Sequence, residues 1–325
     1  MKRFAKLISI LVILSVTLSC LSACGGGTGN PGTPTTPSPA PATPSAPTAA
    51  ATPAQPAPAP AQPAPAPSKP ANRLEAILAR GYLEVVMEPY FAPNQFIDPS
   101  LPTDKNQNVV GSDVEFAKYI AEKLGVECRI IPLEFGAVLA GVTEGKYDMA
   151  ISGLAYTPAR EEAMTLSKGY FFSTKSLGHG LLIHKDNEGK IKGPDDVKGR
   201  IVVAQSGSLQ ELFVNTQLSG YKEFKRVSST NDAFLSVSEK KADAAVVPIG
   251  TASLFIEANP TAGIMVVPDF KFFQDETTLG TRIGMPKGEK ELLERVNGII
   301  DEILASGQYV KWYEEYTEYA KKLGV

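Results

Sequence analysis

The feature that most limits how this 325-residue chain can fold is a proline-rich segment near its N-terminus. Residues 28–71 consist mainly of Pro, Ala, Thr, Ser and Gln and carry no charge before Lys69, and more than half of the chain's 26 prolines lie there. Because proline lacks an amide donor, such a segment forms neither helix nor sheet. It favours polyproline II, and at ~3.1 Å per residue its reach is about 100 Å. We therefore expect residues 24–71 to be a disordered tether.

The residues before the tether have the layout of an export signal. Three basic residues precede an apolar run over 7–18, which is shorter than the ~20 residues of a spanning helix. The ending over 21–24, Leu-Ser-Ala-Cys, resembles the lipobox of bacterial lipoproteins. That resemblance implies a signal peptide over 1–23, a lipid on Cys24, and a place on the extracellular or periplasmic face of a bacterial membrane. An ordinary signal peptide with an incidental cysteine is the alternative.

The composition excludes several classes of function. The net charge is −3 and the isoelectric point is near 5.6, so no basic excess predicts a nucleic-acid partner. Cys128 is the one cysteine outside the export signal, and it lies in an alternating segment that predicts a core residue and no disulfide. No Cys/His spacing suits zinc, and no glycine-rich loop fits a nucleotide. We expect no metal, no cofactor and no catalytic residue.

The remaining residues, 72–325, are enough for two modest lobes. Apolar patterning predicts alternating elements, with strands at 83–87, 129–133, 149–151, 201–203, near 224 and at 244–247, and helices at 113–124, 137–143, from 208 and from 231. Such alternation predicts parallel sheets with crossover helices.

One unit occurs twice along the chain. Residues 142–152 and 237–247 each combine a helix end, a polar turn, an aspartate and an apolar strand, with Asp148 and Asp243 in matching positions. In open α/β sheets, ligands bind beyond the carboxyl ends of strands. Two such lobes predict a clamshell in which the strand ends at 152–153 and 247–248 face one cleft. Chance similarity of the two units is the alternative.

Four segments carry a more specific resemblance. They are GYLEVVMEPYFAP over 81–93, VGSDVEFA over 110–117, DMAISGLAYTPAR over 148–160 and GRIVVAQSGS over 199–208. In this order they resemble the extracellular solute-binding proteins of ABC importers, in the amino-acid-binding family (family 3). The resemblance implies a type II periplasmic-binding-protein-like α/β clamshell with mostly parallel sheets and two crossover strands. Lobe 1 is expected over about 72–181 and 280–325, and lobe 2 over about 186–270. The segment 178–184 is expected to be an inter-lobe strand.

The resemblance also implies a carboxylate site in the first lobe. The segment over 148–160 places Ser152 and Gly153 at a strand end, with their amides offered to an anion, and includes Ala155. Thr157 and the proline after it predict a helix N-cap and first position. Arg160 then projects from the first helical turn, and its planar fork suits a carboxylate.

The second lobe and the walls of the cleft complete the implied site. Ser206, Gly207 and Ser208 precede a predicted helix whose free amides attract anions. Phe91 and Phe135 match positions where family members hold the ligand's side chain between aromatic rings, although both could pack in the core. Glu88 aligns with an acidic residue that often helps to bind the α-ammonium group.

The sequence departs from the family at one position that bears on the ligand. Pro248 stands where the family usually has an aspartate that pairs with the α-ammonium. A buried ammonium without a counter-charge is costly, by several kcal/mol. Either Glu88 alone binds that group, or the ligand has none. Ala155 and Leu209 also replace hydroxyl residues that are common in the family, so the ligand's identity stays open.

The function that the resemblance implies is solute capture for import. A lipid-anchored monomer binds an amino acid or related small carboxylate by lobe closure, and an ABC permease in the membrane recognises the closed form. Two alternatives remain open. One is an enzyme on this fold that resembles cyclohexadienyl dehydratase, with Glu88 as its cleft acid. The other is a sensory solute receptor.

Overall fold

A computed structural model describes residues 70–172 and 177–325. The expected signal peptide, the expected lipidation site Cys24 and almost all of the expected tether lie outside the described residues. Within the described ranges, no helix is both long and apolar enough to cross a bilayer.

Strands and helices alternate along the first part of the described chain. They are α1 (Arg73–Arg80), β1 (Tyr82–Met87), β2 (Tyr90–Phe91), β3 (Gln95–Ile97), β4 (Val109–Val110), α2 (Ser112–Leu124), β5 (Glu127–Pro132), α3 (Phe135–Thr143), β6 (Met149–Ala155), α4 (Pro158–Ala163) and β7 (Thr165–Leu166). The predicted helix over 113–124 is confirmed, and Gly125 ends it in the left-handed conformation, as its C-cap.

The same alternation continues through the second part. Its elements are β8 (His179–His184), β9 (Ile201–Gln205), α5 (Leu209–Gln217), β10 (Glu223–Val227), α6 (Thr230–Ser238), β11 (Ala244–Pro248), α7 (Ile249–Ala258), β12 (Ile264–Val266), β13 (Thr281–Met285), α8 (Lys290–Ser306) and α9 (Gln308–Leu323). The predicted strands and helices over 201–247 are confirmed, with boundaries that shift by a few residues.

Two five-stranded sheets organise these elements, in the orders β5-β1-β6-β13-β7 and β10-β9-β11-β8-β12, and β2, β3 and β4 form a small third sheet. In each large sheet four of the five strands run in one direction, and only β13 or β8 opposes them. The expected α/β fold with two mostly parallel sheets is therefore confirmed.

The two sheets share one plan, and the repeated sequence unit is its local basis. Asp148 precedes β6 and its Oδ2 accepts a 2.8 Å hydrogen bond from the amide of Glu84 in β1. Asp243 precedes β11 and its Oδ2 accepts a 2.8 Å hydrogen bond from the amide of Ile201 in β9. Each aspartate thus holds the start of the central strand of its sheet, β6 or β11, beside the neighbouring strand, β1 or β9. The similarity of the two units reflects a structural repeat rather than chance.

One expected element lies elsewhere. The segment 178–184 was expected between the lobes, but β8 pairs with β11 and β12 inside the second sheet. The chain crosses between the sheets before β8 and again before β13. The expected end of the first lobe near 181 therefore falls within a strand of the second lobe. Pairing with two distant strands decides this, and a local apolar pattern does not encode it.

Cys128 packs against the core of the first lobe and is partly buried. Burial raises the pKa of its thiol to about 12, so the thiol stays protonated and unreactive at neutral pH. The prediction of a core cysteine is confirmed.

The repeated aspartates give a first testable difference. The Asp148 side chain is fully buried and also pairs with Arg73 and Arg80, whereas Asp243 is 35% exposed and pairs with Arg200 at 3.5 Å. Asp148→Ala should lower the free energy of unfolding by about 3–5 kcal/mol, because two guanidinium groups and an amide lose their acceptor. Asp243→Ala should cost about 1 kcal/mol. Urea denaturation measures both, and equal losses would contradict the assigned difference.

Candidate functional site

A cavity of about 760 Å³ lies between the two large sheets, within the usual range for small-molecule sites. The C-terminal half of β6 reaches it through Ser152, Gly153 and Ala155, and the end of β11 reaches it through Pro248. The expectation that these strand ends face one cleft is confirmed. Of the residues expected to bind ligand, those that line the cavity are Glu88, Phe91, Phe135, Ser152, Gly153, Ala155, Arg160 and Ser208. Ser206 and Gly207 are not among its lining residues.

Arg160 reaches this cavity because of a local capping arrangement. Thr157 is the N-cap of α4, and its Oγ1 accepts the amide of Arg160 at 3.2 Å, while Pro158 occupies the first helical position. The predicted cap and helix start are confirmed. The cap directs the Arg160 side chain inward, where the residue is only 7% exposed.

The Arg160 guanidinium contacts both lobes. Nη1 donates to the carbonyl of Ala155 at 2.7 Å, and Nη2 donates across the cleft to the carbonyl of Gly207 at 2.9 Å. Its carbon lies 5.4 Å from the centre of the Phe135 ring. A guanidinium has five N–H donors, so these two hydrogen bonds leave others for a ligand.

Arg160 is also a buried charge that has no counter-ion among the residues the structure describes. Burial lowers its pKa to about 10, which still leaves it cationic at neutral pH. Within the part of the chain that the structure describes, no carboxylate lies within 4.0 Å of its nitrogens. An unpaired buried charge is costly, so this site is suited to bind an anion.

The amide of Gly153 is not available as expected. It donates to Oδ2 of Asp113 at 2.9 Å, and β6 continues to Ala155 instead of ending at Ser152. Gly153 has a φ of +59°, and a Cβ there would lie 2.9 Å from the Phe91 ring. Glycine therefore lets that ring lie against the strand and lets its own amide turn toward Asp113.

The amides of the second lobe are also already bonded. The Gly207 amide donates to Glu211 Oε2 at 2.7 Å, and the Ser208 amide donates weakly to the carbonyl of Gln205 at 3.4 Å. The Ser206 amide donates to the carbonyl of Val227 at 2.9 Å. The expectation of free amides at Ser206, Gly207 and Ser208 was wrong, because all three amides already have partners, two within the turn and α5 and one in β10. Gly207 takes part through its carbonyl, which accepts from Arg160.

Ser152 joins the two strand ends of the first lobe. Its Oγ accepts the amide of Glu88 at 3.0 Å and the side-chain amide of Gln95 at 3.2 Å. The hydroxyl thus fixes Glu88, directly after β1, beside the end of β6. This positioning role differs from the anion-binding amide that was expected of Ser152.

Glu88 is 1% exposed and lines the cavity, and its Oε1 has no hydrogen-bond partner among the described residues. Burial raises its pKa to about 8, and the negative charge of Asp232 acts in the same direction, while hydrogen bonds from the Tyr90 amide and the Gln205 side chain oppose them. Glu88 is therefore mostly protonated at neutral pH.

Sequence reasoning missed His179 as a cavity residue. It pairs with Pro248 across β8 and β11, and its ring lies edge-on to Phe213 with the centroids 5.2 Å apart. Burial lowers its pKa to about 4, so the ring is neutral at pH 7, and its buried Nδ1 has no partner among the described residues. The one available signal was its place at the start of an apolar run. Among described residues, no cluster of His, Cys, Asp and Glu could hold a metal.

Residues 83–319 match the profile of the bacterial extracellular solute-binding proteins, family 3. The arginine-binding extracellular protein ArtP of Bacillus subtilis is 28% identical over 210 residues, which cover 64% of this chain and 77% of that protein. The L-cystine-binding protein TcyJ of Escherichia coli K12 is 26% identical over 235 residues, covering 72% and 82% of the two chains.

Solved structures show the same architecture. The L-arginine-bound substrate-binding protein AbpA of Streptococcus pneumoniae superposes with a TM-score of 0.67 at 30% identity, covering 76% of this chain and 98% of that one. The ancestral amino-acid-binding protein AncCDT-1, a precursor of cyclohexadienyl dehydratase, superposes with a TM-score of 0.63 at 27% identity, covering 76% and 100%.

The raised pKa of Glu88 predicts a pH dependence of stability. In the unfolded chain this carboxyl ionises near its ordinary pKa of 4.5, whereas in the folded protein burial raises the pKa to about 8 and the carboxyl keeps its proton up to that pH. The stability that the protonated Glu88 carboxyl contributes to the folded protein is therefore present below pH 4.5 and is lost as the pH rises to 8. As the pH rises from 6.5 to 9, the free energy of unfolding of Glu88→Gln should rise by about 2 kcal/mol relative to that of the unmodified protein.

Urea denaturation across that pH range measures the difference. Glu122→Gln, an exposed change on α2, is the matched control and should follow the unmodified protein. Parallel curves for Glu88→Gln and Glu122→Gln would show that Glu88 ionises normally.

Proposed function

The chain belongs to the bacterial extracellular solute-binding proteins of family 3, and from this we propose that it captures a small carboxylate for an ABC importer. The observation that supports this proposal best is the Arg160 guanidinium, which is buried in the inter-lobe cavity and has no carboxylate of the described residues beside it. A ligand carboxylate would supply the missing negative charge and take the donors that the two carbonyl contacts leave free.

The contacts between the lobes suggest how capture is coupled to closure. Arg160 of the first lobe bonds to the carbonyl of Gly207, and Thr251 of the second lobe donates to the carbonyl of Ala92 at 3.0 Å. Leu254 on α7 also packs against a first-lobe cluster. A ligand bound to Arg160 would favour the geometry in which that side chain reaches Gly207. Because the ligand binds the closed form more tightly than the open form, it shifts the hinge equilibrium toward closure.

The permease would then recognise the closed form of the protein. The protein would act as a monomer. Lipid on Cys24 would hold it at the extracellular or periplasmic face of the membrane, with residues 24–71 as the tether. The support for the anchor is the Leu-Ser-Ala-Cys ending over 21–24.

Lipid anchoring has a direct test. Growth of a bacterial host with labelled palmitate should label the full-length protein and leave Cys24→Ala unlabelled. Label retained on Cys24→Ala, or absent from both, would contradict the anchor.

One observation favours a second candidate function on the same fold. Glu88 is a protonated carboxylic acid in a ligand-sized cavity, which is what a general acid requires. A dehydratase similar to cyclohexadienyl dehydratase would use such a group, and AncCDT-1 shares the fold. Incubation with prephenate separates the two candidates, because a binding protein returns it unchanged and a dehydratase converts it.

The role of Arg160 is tested by calorimetry of the full-length protein with a panel of amino acids, 2-hydroxy acids and 2-oxo acids. For the tightest binder, Arg160→Ala should weaken binding by about 2–4 kcal/mol, because it removes one member of a buried charge pair. Arg160→Lys should recover part of this loss, since it keeps the charge without the planar fork.

Arg129→Ala is the matched control. Arg129 is an arginine of the same lobe whose side chain is 45% exposed and pairs with Glu127 on the surface. Its loss should leave affinity unchanged. Unchanged affinity in Arg160→Ala would remove Arg160 from the site.

A further inference from the structure

We propose that the cleft selects a carboxylate that carries no ammonium group, such as a 2-hydroxy or 2-oxo acid with an apolar body, and that Glu88 serves it as a hydrogen-bond donor. This inference rests on the proposed capture of a carboxylate and names the chemical class of the ligand.

The charges along the cavity wall are few. Among described residues, the fully charged types that line it are Glu88, Arg160, Glu257 and Lys321. Glu257 on α7 and Lys321 on α9 are both exposed and attract each other, so water screens them. Of the described residues, one cation, Arg160, and one carboxyl group, Glu88, line the buried part of the cavity.

The surroundings of Glu88 keep that carboxyl neutral. Ser152 Oγ is bonded to its backbone amide, and the Gln205 side chain lies beside its carboxyl group, so both polar neighbours are uncharged. The charged group that acts on it from α6 is Asp232, whose negative charge opposes ionisation. Among described residues, the other titratable groups that line the buried cavity are Arg160, the neutral His179 and Tyr313, whose pKa is raised by burial. With a pKa of about 8, Glu88 is protonated in about nine of ten molecules at pH 7.

Among described residues, the second lobe supplies no negatively charged group to the buried part of the cavity. Pro248 ends β11 at the cavity, and its strand partner is His179, a neutral ring with an unpartnered Nδ1. This wall therefore offers an uncharged hydrogen-bonding group and apolar surface. Further apolar lining comes from Phe91, Phe135, Phe171, Leu209 and Tyr313.

These features together select against a zwitterion. An amino acid would place its carboxylate on Arg160 and bury an ammonium whose one possible counter-charge in the described part of the chain is Glu88. That contact requires Glu88 to lose its proton, which at pH 7 costs about a tenfold loss of affinity and releases a proton to the buffer. A hydroxyl or oxo group instead accepts a hydrogen bond from the protonated Glu88 carboxyl. Glu88 then keeps its proton, so affinity is not lost and no proton is released.

Matched ligand pairs test this inference. Calorimetry of the full-length protein at pH 7 compares L-phenylalanine with L-phenyllactate and L-leucine with L-2-hydroxyisocaproate, each in phosphate and in Tris. The hydroxy acid of the tighter pair should bind at least tenfold more tightly than its amino acid. The difference between the two buffers should show close to zero protons exchanged for the hydroxy acid. An amino acid that binds should release close to one proton.

Glu88→Gln provides a second readout, because glutamine cannot lose a proton at this position. An amino acid that binds should no longer release a proton on binding to Glu88→Gln, whereas the surface control Glu122→Gln should release it as the unmodified protein does. The inference is overturned if an amino acid binds more tightly than its hydroxy analogue, or if an amino acid binds without releasing a proton. If such binding still depends on Arg160, carboxylate capture stands and only the ligand class is wrong. If no carboxylate binds the unmodified protein, both proposals fail.

Discussion

A single buried guanidinium links the parts of this structure. Arg160 is oriented by the Thr157 cap, held by the carbonyl of Ala155, and bonded across the cleft to the carbonyl of Gly207. Burial in an apolar cavity makes its charge costly without a partner, and the described residues provide no carboxylate for it. Anion binding and contact between the lobes therefore involve the same side chain, which is how capture of a small ligand can bias a motion of whole lobes.

The rest of the fold serves to place that side chain and the surface opposite it. Two sheets of the same plan bring the ends of β6 and β11 to one cavity, and the paired aspartates Asp148 and Asp243 fix each sheet in the same way. Behind the cavity, the buried Asp113 accepts the Gly153 amide and the hydroxyl groups of Tyr170 and Tyr309. This network holds Gly153, within β6, beside the Phe91 ring that lines the cavity.

The sequence was sufficient for the features that depend on local pattern. The alternation of elements, the Thr157 cap and the position of Arg160 all follow from short segments. The availability of backbone amides does not follow from short segments, since the partner of the Gly153 amide lies forty residues away and their hydrogen bond depends on the tertiary fold. Glu211, four residues after Gly207, was in reach of local reasoning and was overlooked. The protonation of Glu88 and the place of His179 depend on burial and strand pairing, which no motif encodes.

The most direct test of the central claim is a crystal structure of the protein with the carboxylate that binds most tightly. We predict that the ligand carboxylate lies about 3 Å from Arg160 guanidinium nitrogens, while Nη2 keeps its bond to the carbonyl of Gly207. A ligand whose carboxylate is bound elsewhere, with Arg160 turned toward water, would contradict the account.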